Sequence, residues 1–254
     1  FEQTLVLLNG VNMTDPQTGH HNLNLPLNLS SIDRIEVLQG PASRVFGVNA
    51  FNGAINIITN PSKEQKAKVS LSGGEFGFLK GDASTHFQTG KFRHFVSASH
   101  KKSNGYLQDH ELNNTDFKNT NIFYHGKINA LDGQFDVQGG WETKGFGANS
   151  FYTPAYPNQY EATETGFGSV RYTFHKEGFT MRPVVYYRRH QDRFELFRDD
   201  APDWYGGHNH HLTDVWGSNV SGSANTGFGH LAFGLDYRNE HIFSNVLGQE
   251  MDDP

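Results

Sequence analysis

Beyond residue 66 the chain alternates oily and wet side chains segment after segment, and that alternation limits its fold more than any other feature. In residues 134–143, Phe135, Val137, Gly139 and Trp141 share one face, and Gln134, Asp136, Gln138 and Glu142 share the other. In residues 230–240, Leu231, Phe233, Leu235 and Tyr237 oppose His230, Asp236, Arg238 and Glu240. A period of two makes each segment a β-strand with one apolar and one polar face. The pattern recurs at 120–131, 164–174, 179–190 and 213–225, and less regularly at 68–74, 78–88 and 91–101. The expectation is about nine antiparallel strands.

The connections alternate as well. Short turns fall at 89–91, 132–133, 176–178 and 226–227, and long connections at 103–117, 144–163 and 191–212. All long loops therefore gather at one end of the sheet. The first hairpin, bent around Gly74-Glu75-Phe76-Gly77, puts a short connection at that end. A soluble sandwich also alternates oily and wet positions, but its strands usually run nearer 5 or 6 residues. Strands of about 10 to 13 residues suit a tilted crossing of a bilayer. Charged groups in mid-strand, such as Asp136 and Asp236, suit a watery lumen, and loops long at one end only suit an outer-membrane barrel.

Composition agrees. The hydrophobic fraction is 35%, low for a filled soluble core, while 21 Phe, 10 Tyr and 28 Gly favour strands and tight turns. The formal charge of -6, with no basic block, excludes nucleic acid as an expected partner. The absence of cysteine excludes disulfides, thiolate metal sites and a Cys nucleophile. No apolar run is long enough for a transmembrane helix, which leaves a barrel open. No nucleophile elbow, zincin or phosphate-loop pattern occurs, so no enzyme is expected.

Before Asn60-Pro61 the chain is different. Residues 5–8 form an apolar run, 32–38 and 54–59 read as strands, and between these two lies a helix signature. Gly40 permits a sharp turn, Pro41 suits a first helical position, and Gly47 suits the residue past the end. Residues 42–46 then make one helical turn. Ile35 and Val37 are expected to face a small core, with Arg34 and Glu36 facing water or a surrounding wall. On spacing alone this is an ordinary strand-helix-strand unit.

The residues themselves carry more. Ile32-Asp33-Arg34-Ile35-Glu36-Val37-Leu38-Gln39-Gly40-Pro41, then Phe46-Gly47, then Gly53-Ala54-Ile55-Asn56-Ile57-Ile58-Thr59 resemble the plug motif of TonB-dependent outer-membrane receptors. Leu7-Leu8-Asn9-Gly10-Val11 is similar to that family's "L-x-D-G-V", and Ser103-Asn104-Gly105-Tyr106 to its "S-D-G-Y". The motif match covers about residues 5 to 60, and the barrel match is mainly pattern. The resemblance implies a mostly β chain: the C-terminal half of an α+β plug domain over residues 1–62, then part of a transmembrane β-barrel over 63–254. The family barrel has about 22 strands around a plugged lumen, so the chain is expected to be a fragment. Its opening at Phe1 and close at Pro254 look cut, and neither signal peptide nor TonB motif is visible.

The resemblance further implies a Gram-negative outer-membrane receptor importing a scarce nutrient, cobalamin-type first, then siderophore or haem, with metal or glycan behind. Its implied partners are the TonB complex through the missing N-terminal segment, a small ligand, outer-membrane lipid and a surface lipoprotein. The chain has Gln39 where the family often has Arg, so an ionic tie from the plug to a barrel acid falls to Arg34 or Arg44. The plug is expected to be held by polar contacts that rearrange cheaply. The competing readings are a soluble all-β, lectin-like binding module and a structural surface barrel without transport.

The matching plug loop in the family faces outward, which makes Gln17, Thr18, Gly19, His20, His21 and Asn22 candidate ligand contacts; a plain solvated loop is the bland reading. Trp204 and Tyr205 in a long loop are candidates for gripping a nutrient. His208, His210 and His211 beside them form a weak metal candidate. No resident cofactor is expected, though Asp109, His110, Glu111 and Asp116 offer oxygens to a calcium ion in an outer loop. Trp141 reads as part of an interfacial aromatic belt.

Overall fold

The computed structural model describes residues 4–40, 50–62, 64–107 and 114–247. Two sheets result. The first has four strands: β1 (Thr4–Leu8), β2 (Val11–Asn12), β3 (Arg34–Gln39) and β4 (Gly53–Ile58), in the order β2-β1-β4-β3. β1 runs parallel to β4, and the other pairs are antiparallel. The β1–β2 link is the two-residue turn Asn9-Gly10, both with positive φ (49° and 78°), as the tightest hairpin turns require.

The second sheet is a nine-stranded antiparallel meander in chain order. It comprises β5 (Lys66–Gly73), β6 (Leu79–Thr89), β7 (Phe92–Ser103), β8 (Phe117–Ala130), β9 (Gly133–Gly147), β10 (Tyr160–Lys176), β11 (Phe179–Glu195), β12 (Asn209–Thr226) and β13 (Gly229–Ser244). The nine strands match the expectation, but several are longer, up to 18 residues in β12. The outward face explains the difference. Along β11 it reads Phe179, Met181, Pro183, Val185 and Tyr187, then turns to Arg189, Gln191 and Arg193. The hydrogen-bond ladder continues where the apolar signal stops.

That outward face is apolar and uncovered. Leu231 is 56% exposed and Leu235 75% exposed, where a soluble sandwich would bury them. Trp141, Tyr187 and Trp216 stand exposed along its upper margin, with Tyr187 directly opposite Trp216 in the ladder and the Trp216 ring 5.3 Å from that of Tyr237. Trp141 Nε1 donates to Glu164 Oε1 at 2.8 Å. An apolar body with a polar tip is what a membrane interface favours. Phe135, Tyr172, Phe174 and Phe179 cluster toward the short-turn end, so two aromatic girdles bound a lipid-facing band.

The opposite face wraps the small sheet. Ser62 N donates to His86 of β6 at 3.0 Å, while Arg238 of β13 donates to the carbonyls of Asn12 and Thr14 at 3.3 and 2.6 Å. Nine strands laid flat would span about 38 Å. Contacts from the small sheet and the residues flanking its strands to both β6 and β13 therefore require the large sheet to curve around it.

The shared interior is mixed. Val6, Leu8, Val11, Met13, Leu25 and Ile57 pack with Phe95, Phe123, Phe167, Val184, Tyr186 and Val215 of the wall. This corrects the picture of a purely polar inner face. Asp136 is likewise not bathed in lumen water: it is buried, 3.1 Å from His125 Nε2 and 3.0 Å from Lys127 Nζ.

A second correction concerns β3. Ile35 and Val37 are 55% and 63% exposed, not turned into a core, because every residue of β3 is exposed and neither of its faces is covered. Arg34 and Glu36 pair with one another at 2.8 Å, and Arg34 also meets Asp33 at 3.2 Å. Of the remaining motif positions, Pro41, Arg44, Gly47 and the turn at 42–46 lie outside the described residues, while Gly40 closes β3 at φ 85°.

Gly53 has a structural reason. Its φ is 144°, and a Cβ there would lie 2.2 Å from the Leu38 carbonyl oxygen. Gly53→Ala is expected to cost the small sheet at least about 1–3 kcal/mol, read as faster amide exchange across β3 and β4. Unchanged exchange would remove this explanation of the glycine at position 53.

Candidate functional site

The long loops and the tip of the segment after β2 meet at one end of the molecule. Asp15 organises the tip. Its Oδ1 accepts from Gln17 N at 2.9 Å and Thr18 N at 3.4 Å, and its own N–H donates to Asn22 Oδ1 at 2.9 Å. Thr18 Oγ1 then caps a 3-10 turn, Gly19–His21, by accepting from His20 N at 3.3 Å. Short polar side chains that bond the backbone two or three residues on are what fold such a stretch.

The other carboxylate oxygen of Asp15 reaches the wall. Oδ2 accepts from Arg188 Nη1 of β11 at 2.7 Å and from Thr213 Oγ1 of β12 at 3.2 Å. Asp15 and Arg188 side chains are 0% and 1% exposed. Burial pushes the Asp15 carboxyl up, but the charges of Arg188 and His190 and its hydrogen bonds outweigh that and hold it below its ordinary value.

Among the described residues the plug–wall ties have the reverse polarity of the one expected from Arg34, while Arg44 lies outside those residues. Arg34 stays within its own sheet, and the arginines that cross come from the wall: Arg188 to Asp15, Arg238 to Asn12 and Thr14, and Arg171 to the carbonyl of Asn9. Asn9 Nδ2 also donates to Gln138 Oε1 at 2.7 Å and Thr59 Oγ1 at 2.8 Å, and Ser31 Oγ lies 2.8 Å from Ser97 Oγ.

The candidates at 17–22 divide. His20 is exposed, and its ring sits edge-on to Tyr152 of the β9–β10 loop at 6.0 Å. Gly19, His21 and Asn22 are buried. His21 Nε2 lies 3.5 Å from Asp192 Oδ2, and His21 Nδ1 lies 3.8 Å from Glu161 Oε1 and 3.2 Å from Asn24 Nδ2. The His190 ring is 4.6 Å away. Tyr152 donates its hydroxyl to Glu161 Oε2, and burial together with that carboxylate pushes the phenol up.

Trp204 and Tyr205 belong to a different group, an aromatic cluster with Phe197 at 5.6 and 5.2 Å and Tyr156 at 5.5 Å from Phe197. The three histidines beside them do not converge. His210 and His211 are successive residues of β12 and point to opposite faces, His211 inward and buried. Asp109, His110 and Glu111 fall outside the described residues. Asp116 is engaged by Arg198 at 2.5 and 3.1 Å, and Arg198 also lies 4.4 Å over the Tyr160 ring.

The sequence reading missed Glu161, Asp192, Arg188 and His190. All four are inward-facing strand residues, and Glu161 and Asp192 sit where the apolar pattern ends and loops were assigned. The available signal was the parity of β10 and β11, which continues unbroken to both.

Residues 1–54 match the family described as the TonB-dependent Receptor Plug Domain. The chain has the plug-and-barrel architecture of TonB-dependent receptors. The small sheet is accordingly its plug and the large one its barrel wall, and the receptor resides in the outer membrane. The chain is 24% identical over 196 residues to the vitamin B12 transporter BtuB of Vibrio vulnificus, covering 72% of this chain and 30% of that protein. It is 37% identical over 76 residues to an iron-regulated outer membrane virulence protein of Vibrio cholerae, covering 27% of this chain and 12% of that protein. Its fold superposes on the copper transporter OprC with a TM-score of 0.76 at 15% identity, over 95% of this chain and 38% of that one. The chain thus spans well under half of the relatives it matches.

Proposed function

We propose that the receptor carrying this chain imports a scarce nutrient across the outer membrane, with the TonB complex acting on the plug. The observation that carries this reading is the way the plug is held. Its tip and first strands are tied to the wall by hydrogen bonds from Arg171, Arg188 and Arg238 to a carboxylate and backbone carbonyls. Water can replace the bonds from Arg171 and Arg238 to carbonyls at modest cost, whereas the buried Arg188–Asp15 pair has to be broken or moved as a unit and sets the larger part of the barrier. The apolar cluster shared by plug and wall makes full extraction more expensive than a local rearrangement. Opening is therefore assigned to the polar rim at Asp15 to Asn24, with the cluster around Val6 and Phe123 left in place.

Cobalamin is the first substrate class, supported by similarity to proteins named vitamin B12 transporters. Ferric siderophore or haem comes next, supported by relatives named for iron. Uptake of radiolabelled cobalamin by a receptor-deleted host expressing the whole receptor tests the choice, with parallel arms for a ferric siderophore and haem. TonB-dependent cobalamin uptake is expected. Uptake of the iron ligands alone would replace the substrate, and uptake without TonB would discard the mechanism.

A further inference from the structure

The cluster of His21, Glu161 and Asp192 is chemically unbalanced as it stands. Two buried carboxylates converge on one imidazole, with one donor atom from each of the three residues all within 4.8 Å of one another. Among the described residues neither acid is ion-paired to an Arg or Lys. Charges taken out of water in this way need a counter-charge. Further donor atoms lie idle beside them. Asp192 Oδ1, His190 Nε2 and His211 Nδ1 are buried without a hydrogen bond among the described residues. His211 stands directly opposite Asp192 in the β11–β12 ladder, and both face inward.

The geometry points to a binding site for one divalent first-row transition-metal ion, held by His21 of the plug and Glu161 and Asp192 of the barrel wall. His190, whose ring is 4.6 Å from that of His21, and His211, opposite Asp192 in the ladder, stand beside them as reserve donors. Imidazole with carboxylate oxygen is a donor set for such ions, whereas calcium asks for six to eight oxygens. Zinc sits about 2.0–2.2 Å from such atoms, so binding would draw the three side chains together and tighten the plug tip onto β10 and β11. The supporting groups are present. The Tyr152 hydroxyl holds Glu161 Oε2, and Asn24 lies 3.2 Å from His21 Nδ1. With Nε2 turned to metal, Nδ1 carries the proton, and a rotated Asn24 amide accepts it through its oxygen. The burial of all three ligands excludes a bulky chelate.

The test is calorimetric titration of the whole receptor in detergent, stripped of metal, with Zn2+, Mn2+ and Ca2+ chlorides. It reads binding and not uptake, so it stands apart from the import reading. One equivalent of Zn2+ is expected, with Mn2+ weaker and Ca2+ weaker still. His21→Ala and Asp192→Asn are each expected to lower Zn2+ affinity at least about tenfold, and the distant change of the exposed His230 on β13, His230→Ala, to leave it unchanged. X-ray absorption on the Zn2+-loaded unaltered receptor needs no variant to fold, and imidazole scattering is expected there. Absence of Zn2+ binding, affinity indifferent to His21 and Asp192, or a shell of water oxygens alone would overturn the proposal.

Discussion

Replacing Arg188 with Ala is expected to loosen the plug tip from the barrel wall by about 3–5 kcal/mol, because it strands the Asp15 carboxylate without its counter-charge in a dry site. The side chains are 1% and 0% exposed, so solvent cannot take over. The double change Asp15→Asn with Arg188→Met is expected to recover much of the loss, since it removes both charges together. Amide exchange across residues 14–24, compared between the three receptors, measures both effects. Equal protection in Arg188→Ala and the parent would show that the pair does not hold the tip.

The same pair sets a pH dependence. The folded Asp15 carboxyl lies below its ordinary value because Arg188 and His190 outweigh its burial. Its contribution is therefore fully present above the unfolded carboxylate pKa, about 3.9, and is lost as pH falls through the lower folded value. Acid is expected to release the tip first, and Asp15→Asn to flatten that acid limb.

The second large effect lies on the opposite face. Val185→Arg places a charge inside the apolar band, one outward position below Tyr187, where Val185 is 57% exposed. In lipid that costs about 1–3 kcal/mol at this depth. On a face in water the same change would be close to neutral. Urea unfolding of the receptor in bilayers distinguishes the two, and a null effect would place this face outside the membrane.

The barrel part of the fold was legible because lipid demands an apolar residue at every second position, and Phe135 through Trp141 obey that rule in full view. The strand extensions were hidden for the converse reason. Above Tyr187 the outward residues enter headgroups and water, so Arg189, Gln191 and Arg193 look like loop while their backbones stay paired. That shift concealed Glu161 and Asp192, which left His21 visible as a loop residue without its partners. Asp15 and Arg188 are 173 positions apart, and nothing local couples them. The exposure of Ile35 and Val37 was equally unreadable, because alternation fixes which residues share a face but not whether anything covers it.

The account rests on the two faces of the nine-stranded sheet meeting different surroundings. Nitroxide labels placed one at a time along β11, in the receptor reconstituted in bilayers, read this directly through relaxation by oxygen and by a water-soluble nickel chelate. The account predicts oxygen access at Met181, Val185 and Tyr187, alternating with immobile, shielded labels at Val184 and Tyr186. Nickel access at Val185 equal to that at Arg193 would contradict it.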